Sequence, residues 1–298
     1  MASMRYRIMA PGIALGKRGH EVKIVDKLSG YGEPIPDWLI FSKHFNKARD
    51  LDMAYRSKDR GQKIVFDICD NHFQNQSHGR YYGTMTELAD VVTCNTPVMK
   101  EVIKDQTKVD AIVVDDPYDL EEREAKFIPN QDPIRILWYG HFTNLDTLHP
   151  LIIQLNQLTE QIELVVISNH AAMSNNTAGN CRISYESWST GTMRRWLDWC
   201  NFITIPTILG DPKKMTKSHN RVTDGIRSGR FVLAHPLPSY ERYRDKYAWV
   251  GEDLADGIVW ADENPDLALS YIKEGQEYIR ENLSPDKIAQ QWEKALGR

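Results

Sequence analysis

The sequence predicts an α/β protein: two Rossmann-like parallel-sheet domains facing a cleft. Three observations predict it. Short β-rich runs alternate with longer helical patterns along the whole chain, the rhythm of βαβ units and parallel sheets. The rhythm breaks once, at a polar stretch from Asp119 to Asp132, and then restarts. The chain has 298 residues, more than one ordinary domain holds.

In the first half, strands are expected at Glu21-Val22-Lys23-Ile24-Val25, Trp38-Leu39-Ile40-Phe41, Lys63-Ile64-Val65-Phe66, Asp90-Val91-Val92-Thr93 and Ala111-Ile112-Val113-Val114. Helices are expected near 45–59, 80–88 and 97–104, the last with Thr96 as N-cap and Pro97 in the first turn. The polar stretch carries six charges from Asp119 to Lys126, and Pro129 and Pro133 bracket its end. It divides the chain into a domain at 1–118, a linker at 119–133 and a second domain at 134–298. The second domain opens on Ile134 to Tyr139. Its later strands are expected at Ile162 to Ile167, Cys181 to Tyr185, Phe202 to Pro206, Phe231 to Ala234 and Gly257 to Trp260. Two helices close the chain. The last is capped by Ser284 ahead of Pro285 and Asp286, and the division leaves room for it to cross back to the first domain.

Composition narrows the function classes. A hydrophobic fraction of 41% and a charged fraction of 26% describe a globular chain able to bury a core. A formal charge of −4 offers no basic domain, so nucleic acid is not expected as a partner. No apolar run approaches the roughly 20 residues of a membrane span, and no apolar signal region opens the chain. A cytoplasmic location is therefore expected. Cys69, Cys94, Cys181 and Cys200 form no C-x-x-C pair, and read as reduced thiols.

The segment from Lys217 to Ala234 is the most informative. It reads as a helix closed by Gly229 and followed at once by a buried strand. Val222 and Ile226 lie on its packing side. Lys217, Arg221 and Asp224 recur at i, i+4 and i+7 and share the other face. Two cations near a helix N-terminus suit a diphosphate, and an acid one turn on suits ribose hydroxyls. An amphipathic helix with a solvated charged face accounts equally well for the spacing. After the second strand, Asp67, Asp70 and His72 could position an acceptor hydroxyl or act as base; they could also satisfy backbone amides. Asp115-Asp116 beside Pro117 reads as a turn rather than a metal site. Tyr240 to Trp249 reads as a stacking segment or a surface helix, and Trp188, Trp196 and Trp199 read as packing.

The run Asn220-Arg221-Val222-x-Asp224-Gly225-x-x-x-Gly229-x-x-Val232-x-Ala234 resembles the C-domain signature of retaining GT-B glycosyltransferases. Other pieces match that family in order: Arg7 to Val22, Phe66 to His72, Ala89 to Met99, Val114 to Asp119 and Leu137 to His141. The resemblance implies transfer of a sugar from a nucleotide-sugar donor, with retention and without a bound metal or other cofactor, to a glycan, lipid-linked or small-molecule acceptor. It implies donor contacts at Gly140, His141, Lys217, Asn220, Arg221 and Asp224, with Asp224 on the ribose. Gly140 would let the backbone approach the phosphates. The sequence departs from the family in three places. Thr216 stands where a second acid meets the donor sugar. His141 and Asn144 stand where an arginine and a lysine meet phosphate. So few residues precede Arg7 that Met4 to Ile8 forms either a very short first strand or none. Two other readings stay open: a non-catalytic GT-B-like subunit that binds a nucleotide or a partner, and a sugar transferase acting on modified DNA.

Overall fold

The computed structural model describes residues 2–25, 36–42, 47–169 and 174–297. It divides into two compact units. The first comprises Met1–Asp119, Met215–Ser218 and Glu281–Arg298; the second comprises Leu120–Lys214 and His219–Arg280.

Unit 1 carries a four-stranded parallel sheet of order β1-β2-β3-β4, with β1 at Trp38–Ser42, β2 at Lys63–Ile68, β3 at Val91–Cys94 and β4 at Ile112–Val113. The helices between them are α3 (Lys47–Asp59), α4 (Gly79–Leu88) and α5 (Pro97–Thr107). β2 is buried from its second residue on, as a central parallel strand must be with helices over both faces. Tyr81, Tyr82, Met85, Met99 and Ile103 cover it. Thr96 starts α5 as the sequence predicts: its side chain accepts from Met99 N, and Pro97 fills the first turn.

At the start of the chain the second of the two alternatives holds, no strand at Met4 to Ile8, and one expected strand fails. Met4 to Ile8 is helical: α1 (Ala2–Met4) runs through a π-helical turn at Arg5–Met9 into α2 (Ala10–Lys17). The turn brings the Arg7 guanidinium into the interior, where buried acids hold it. Glu21 to Val25 forms no strand. The alternation does put Val22 and Ile24 on one side, but that side packs on α2: a Cβ at Gly12 would lie 3.0 Å from Ile24 Cδ1 and 3.5 Å from Val22 Cγ1. Contact with the helix stands where a ladder was expected, and Val22 and Ile24 remain 41% and 44% exposed.

Unit 2 carries a seven-stranded sheet of order β11-β10-β9-β5-β6-β8-β7. Its strands are β5 (Ile134–Gly140), β6 (Ile162–Ser168), β7 (Asn176–Ala178), β8 (Cys181–Ser187), β9 (Phe202–Ile205), β10 (Phe231–Ala234) and β11 (Trp249–Val250). All pairings are parallel except β7 with β8, a short edge hairpin that the sequence pattern did not announce. The helices are α6 (Leu148–Leu155), α7 (Thr190–Trp199), α8 (Pro212–Met215), α9 (Asn220–Arg227), α10 (Leu254–Glu263) and α11 (Pro265–Asn282), with α12 (Pro285–Ala295) in unit 1. Ser284 caps α12 through Lys287 N.

Gly257 to Trp260 is helical, not a strand. Asp253 caps α10 by accepting from Ala255 N, and Leu254, Ile258 and Ala261 are buried at helical spacing. The β-branched pair Ile258-Val259 imitates a strand, but its neighbours fix the helical period. Tyr240 to Trp249 is not a surface helix either: Tyr240 and Tyr243 are buried, and Trp249 begins β11. Residues 120–133, where a linker is expected, lie against α9. Arg123 N donates to Arg227 O at 2.9 Å and Lys126 N to Gly229 O at 3.0 Å.

Candidate functional site

In unit 2 the candidate site grows from the carboxyl ends of β5, β6 and β10 and the first turn of α9, where parallel α/β sheets hold ligands. The local sequence places α9. Val222 and Ile226 are fully buried under it, and Gly229 turns the chain at φ 70°, where a Cβ would strike Glu124 O at 2.1 Å. Gly225 is required by packing: a Cβ would come 2.6 Å from Val232 Cγ2, so the space beside it belongs to β10 rather than to a ligand. The helix begins at Asn220, so Lys217 is not on its face; only Asn220, Arg221 and Asp224 are. The solvated-face account fails for Asp224, which is 6% exposed.

Tyr139, near the end of β5, donates its hydroxyl to Arg221 O at 3.2 Å. The Arg221 side chain bonds the Tyr240 hydroxyl. Burial and the nearby Asp224 carboxylate hold the Tyr139 phenol well above its ordinary pKa, so it stays a hydrogen-bond donor. Ser168 Oγ, Arg221 Nη1, His235 Nε2 and Ser239 Oγ are among the unit 2 atoms that are buried without a hydrogen-bond partner among the described residues. Ser168 closes β6 in register with Gly140, and His235 follows β10 directly. Leaving such atoms unpaired costs about 1–3 kcal/mol each, which a polar ligand would recover.

The remaining donor-side candidates have local duties. Gly140 shares a face of β5 with Trp138, and a Cβ there would meet the indole at 2.9 Å; the glycine makes room for the ring. His141 is exposed and caps the 3-10 turn Phe142–Thr147 by accepting from Thr143 N. Trp188 is exposed, while Trp196 and Trp199 pack edge to face at 5.0 Å.

Unit 1 holds the second set. Asp67 is 2% exposed, and both its oxygens are engaged. Arg7 Nη2 donates to Oδ1 at 2.5 Å and Arg7 Nε to Oδ2 at 3.1 Å. Thr93 Oγ1 donates to Oδ1 and Ser42 Oγ to Oδ2, each at 2.8 Å. The second Arg7 partner is Asp116, at 2.9 Å, so one half of the Asp115-Asp116 pair serves this anchor. Asp67 is thus an anchor for the first helix, and its geometry offers no free lone pair for base catalysis. Asp70 accepts from Lys217 Nζ at 2.5 Å. Lys217 belongs to the short segment Met215–Ser218, which also places Thr216 O against Thr96 Oγ1 at 3.3 Å. The lysine expected on phosphate is therefore an ion-pair partner of the expected acid. His72 sits in a turn, its ring 5.2 Å from His78 and 5.6 Å from Tyr82. Among the described residues no three His, Cys, Asp or Glu side chains gather as metal ligands.

Solved structures match this architecture over most of its length. HepE from Anabaena in complex with UDP-glucose superposes with a TM-score of 0.65 at 11% identity, over 88% of this chain and 78% of that one. The chain has the GT-B fold. WaaG, a glycosyltransferase involved in lipopolysaccharide biosynthesis, gives a TM-score of 0.58 at 12% identity over 96% of this chain and 93% of its own. An α-glucosyltransferase in complex with UDP-glucose and DNA containing an abasic site gives 0.58 at 9% identity, over 88% and 80%. No protein-family model and no curated protein sequence matches the chain. Within this GT-B fold, sequence reasoning missed Tyr139, Ser168, His235, Ser239 and Tyr240. For Ser168 and His235 a signal exists: each is a polar residue at the carboxyl end of an apolar strand, where the fold places ligands. No described helix is long and apolar enough to cross a membrane.

Proposed function

We propose that the chain is a glycosyltransferase that takes its sugar from a nucleotide-sugar donor, held at the carboxyl edge of the unit 2 sheet. The observation that carries this is Arg221 with a buried, unpartnered Nη1, on the same helix as the buried Asp224, at the sheet edge where β6 ends on Ser168 and His235 follows β10, both of whose side chains also keep an unpartnered atom. Arg221 supplies positive charge to the diphosphate, and Asp224 accepts from the ribose hydroxyls, each through charge-assisted bonds. Catalysis then rests on stabilising the departing diphosphate rather than on a strong base, which suits transfer with retention. Asp70, paired with Lys217, and the neighbouring His72 are the proposed groups for orienting an acceptor hydroxyl. The UDP-glucose bound in the HepE structure and the likeness to WaaG, a glycosyltransferase, support this reading by fold.

Calorimetric titration with UDP, GDP, ADP and their 2′-deoxy forms tests it. Wild type binds at least one ribonucleoside diphosphate, and Asp224→Asn weakens the ribose form more than the deoxy form. Absence of binding across the panel, or equal losses for both sugars, refutes the reading.

A further inference from the structure

We propose that unit 2 carries a second binding site, for a small oxyanion of the phosphate class, at the amino end of its sheet. A cavity of about 70 Å³ lies there, with Lys126, Gln131, Arg135, Asp198, Trp199 and Asn201 in its lining. Arg135 is the second residue of β5, and Asn201 directly precedes β9, so the cavity is at the strand ends opposite the donor edge. The run of β5 from Arg135 to Gly140 separates the two ends by roughly 17 Å. The cavity is several times the roughly 10–15 Å³ that one water takes. It is far smaller than the roughly 300 Å³ or more of an ordinary organic-ligand pocket. A small polyatomic ion fits between these limits.

The chemistry of the lining favours an anion. Arg135 Nε and Gln131 Oε1 are buried without a hydrogen-bond partner. Neither Arg135 nor Lys126 has an ion pair or a side-chain hydrogen bond among the described residues. The Arg135 guanidinium lies over the Trp199 ring, 5.7 Å from its centroid, a stacking that holds the plane and leaves its N–H groups to donate. Asp198, the acid of the lining, is ion-paired with Arg123. The last carbonyls of α7 would repel an anion if free, but the buried Arg230 occupies them. Its Nε donates to Leu197 O at 2.7 Å and its Nη2 to Asp198 O at 3.5 Å. Asn201 holds the facing loop in place, accepting from Ile128 N at 3.0 Å and donating to Ile128 O at 2.8 Å. Two cations that no carboxylate answers thus share one cavity with an unpartnered amide oxygen. Hydrogen phosphate suits both: its oxygens accept from Arg135 and Lys126 through charge-assisted bonds, and its hydroxyl donates to Gln131 Oε1. Sulfate lacks that hydroxyl.

The test uses the full chain, titrated calorimetrically near neutral pH and at constant ionic strength with inorganic phosphate, methyl phosphate and sulfate. The variants are Arg135→Gln, Lys126→Gln, Arg221→Ala at the donor edge and, as a charge-matched control, the exposed Lys273→Gln on α11, each checked for an unchanged melting temperature. Wild type is expected to bind phosphate saturably in the millimolar range or tighter, and sulfate more weakly. Losing a charge-assisted contact from a buried donor lowers affinity about tenfold or more. Losing an exposed charge lowers it about two- to fivefold. Arg135→Gln is therefore expected to show the first loss and Lys126→Gln the second, while Lys273→Gln and Arg221→Ala keep the Arg135-dependent binding. Methyl phosphate binding as tightly as phosphate assigns the site to the phosphate end of a larger molecule, and binding of inorganic phosphate alone assigns it to the free ion. Absence of saturable phosphate binding overturns the site, and equal affinity for sulfate overturns its assignment to phosphate. Affinity lost in Arg221→Ala and kept in Arg135→Gln would place the ion at the donor edge and overturn the proposal as well.

Discussion

Replacing Arg7 by methionine removes one side chain and strips partners from two buried acids. The Arg7 side chain is 1% exposed, that of Asp67 0% and that of Asp116 2%. The guanidinium grips Asp67 with two bonds, reaches Asp116 with a third at 2.9 Å and bonds Val114 O at 2.5 Å. Burial works to lower the arginine pKa, and the pull of Asp67 and Asp116 more than reverses it, so the cation is held well above its ordinary value. Breaking a buried pair by deleting one partner costs about 3–5 kcal/mol. That is about a fifth or more of the roughly 5–15 kcal/mol that holds a domain together. Arg7→Met should therefore lower the melting temperature of unit 1 by about 10 °C or more. Urea unfolding followed by tryptophan fluorescence is the assay, because Trp292 lies 5.7 Å from the Arg7 guanidinium. Asp67→Asn should be destabilising too, and the double variant should cost less than the sum, since both remove the same network. A loss below about 1 kcal/mol for Arg7→Met, or strict additivity, refutes the anchor. An Asp67→Asn variant that melts like wild type but loses activity would instead make Asp67 a catalytic group.

Three further outcomes are expected. The Glu293 carboxylate, bonded by Arg18 and His20, is lowered from 4.5 to about 2 on folding. It ionises more readily folded than unfolded, so its contribution is complete above about 4.5 and is lost as pH falls toward 2; hydrogen exchange of α12 should rise over that window in wild type and not in Glu293→Gln. Gly225→Ala should destabilise unit 2 by about 1–3 kcal/mol in urea melts, because the new methyl meets Val232 Cγ2 at 2.6 Å; an unchanged midpoint would show that β10 yields freely. Burial pushes the Cys94, Cys181 and Cys200 thiols up to about 12, while Cys69 is half-buried. Brief iodoacetamide treatment of folded protein, read by mass spectrometry, should label Cys69 first, and rapid labelling of any other would contradict the packing.

The sequence by itself determined what is encoded within about ten residues. Thr96 and Ser284 cap their helices because a hydroxyl three residues before a backbone amide is a local arrangement. The βαβ rhythm is legible because apolar periods of 2 and 3.6 differ within one element. The α9 segment, with Val222 and Ile226 inward, Gly229 in the turn and β10 behind it, is readable for the same reason, and so is the placement of Arg221 and Asp224 on it. Tertiary structure decided what depends on a distant partner. Asp67 could be read as a base until Arg7, 60 residues away, was seen to occupy it, and Asp116 is reached by the same arginine across 109. Lys217 could be placed on the α9 face by spacing alone. The helix begins later, and the lysine meets Asp70 across a separation of 147. Val22 and Ile24 alternate like a strand, and only the presence of α2 beside them decides that they pack without a ladder. A period names the face a side chain takes. Which charge or surface waits opposite that face is set by chain closure over tens to hundreds of residues, and local pattern does not record it.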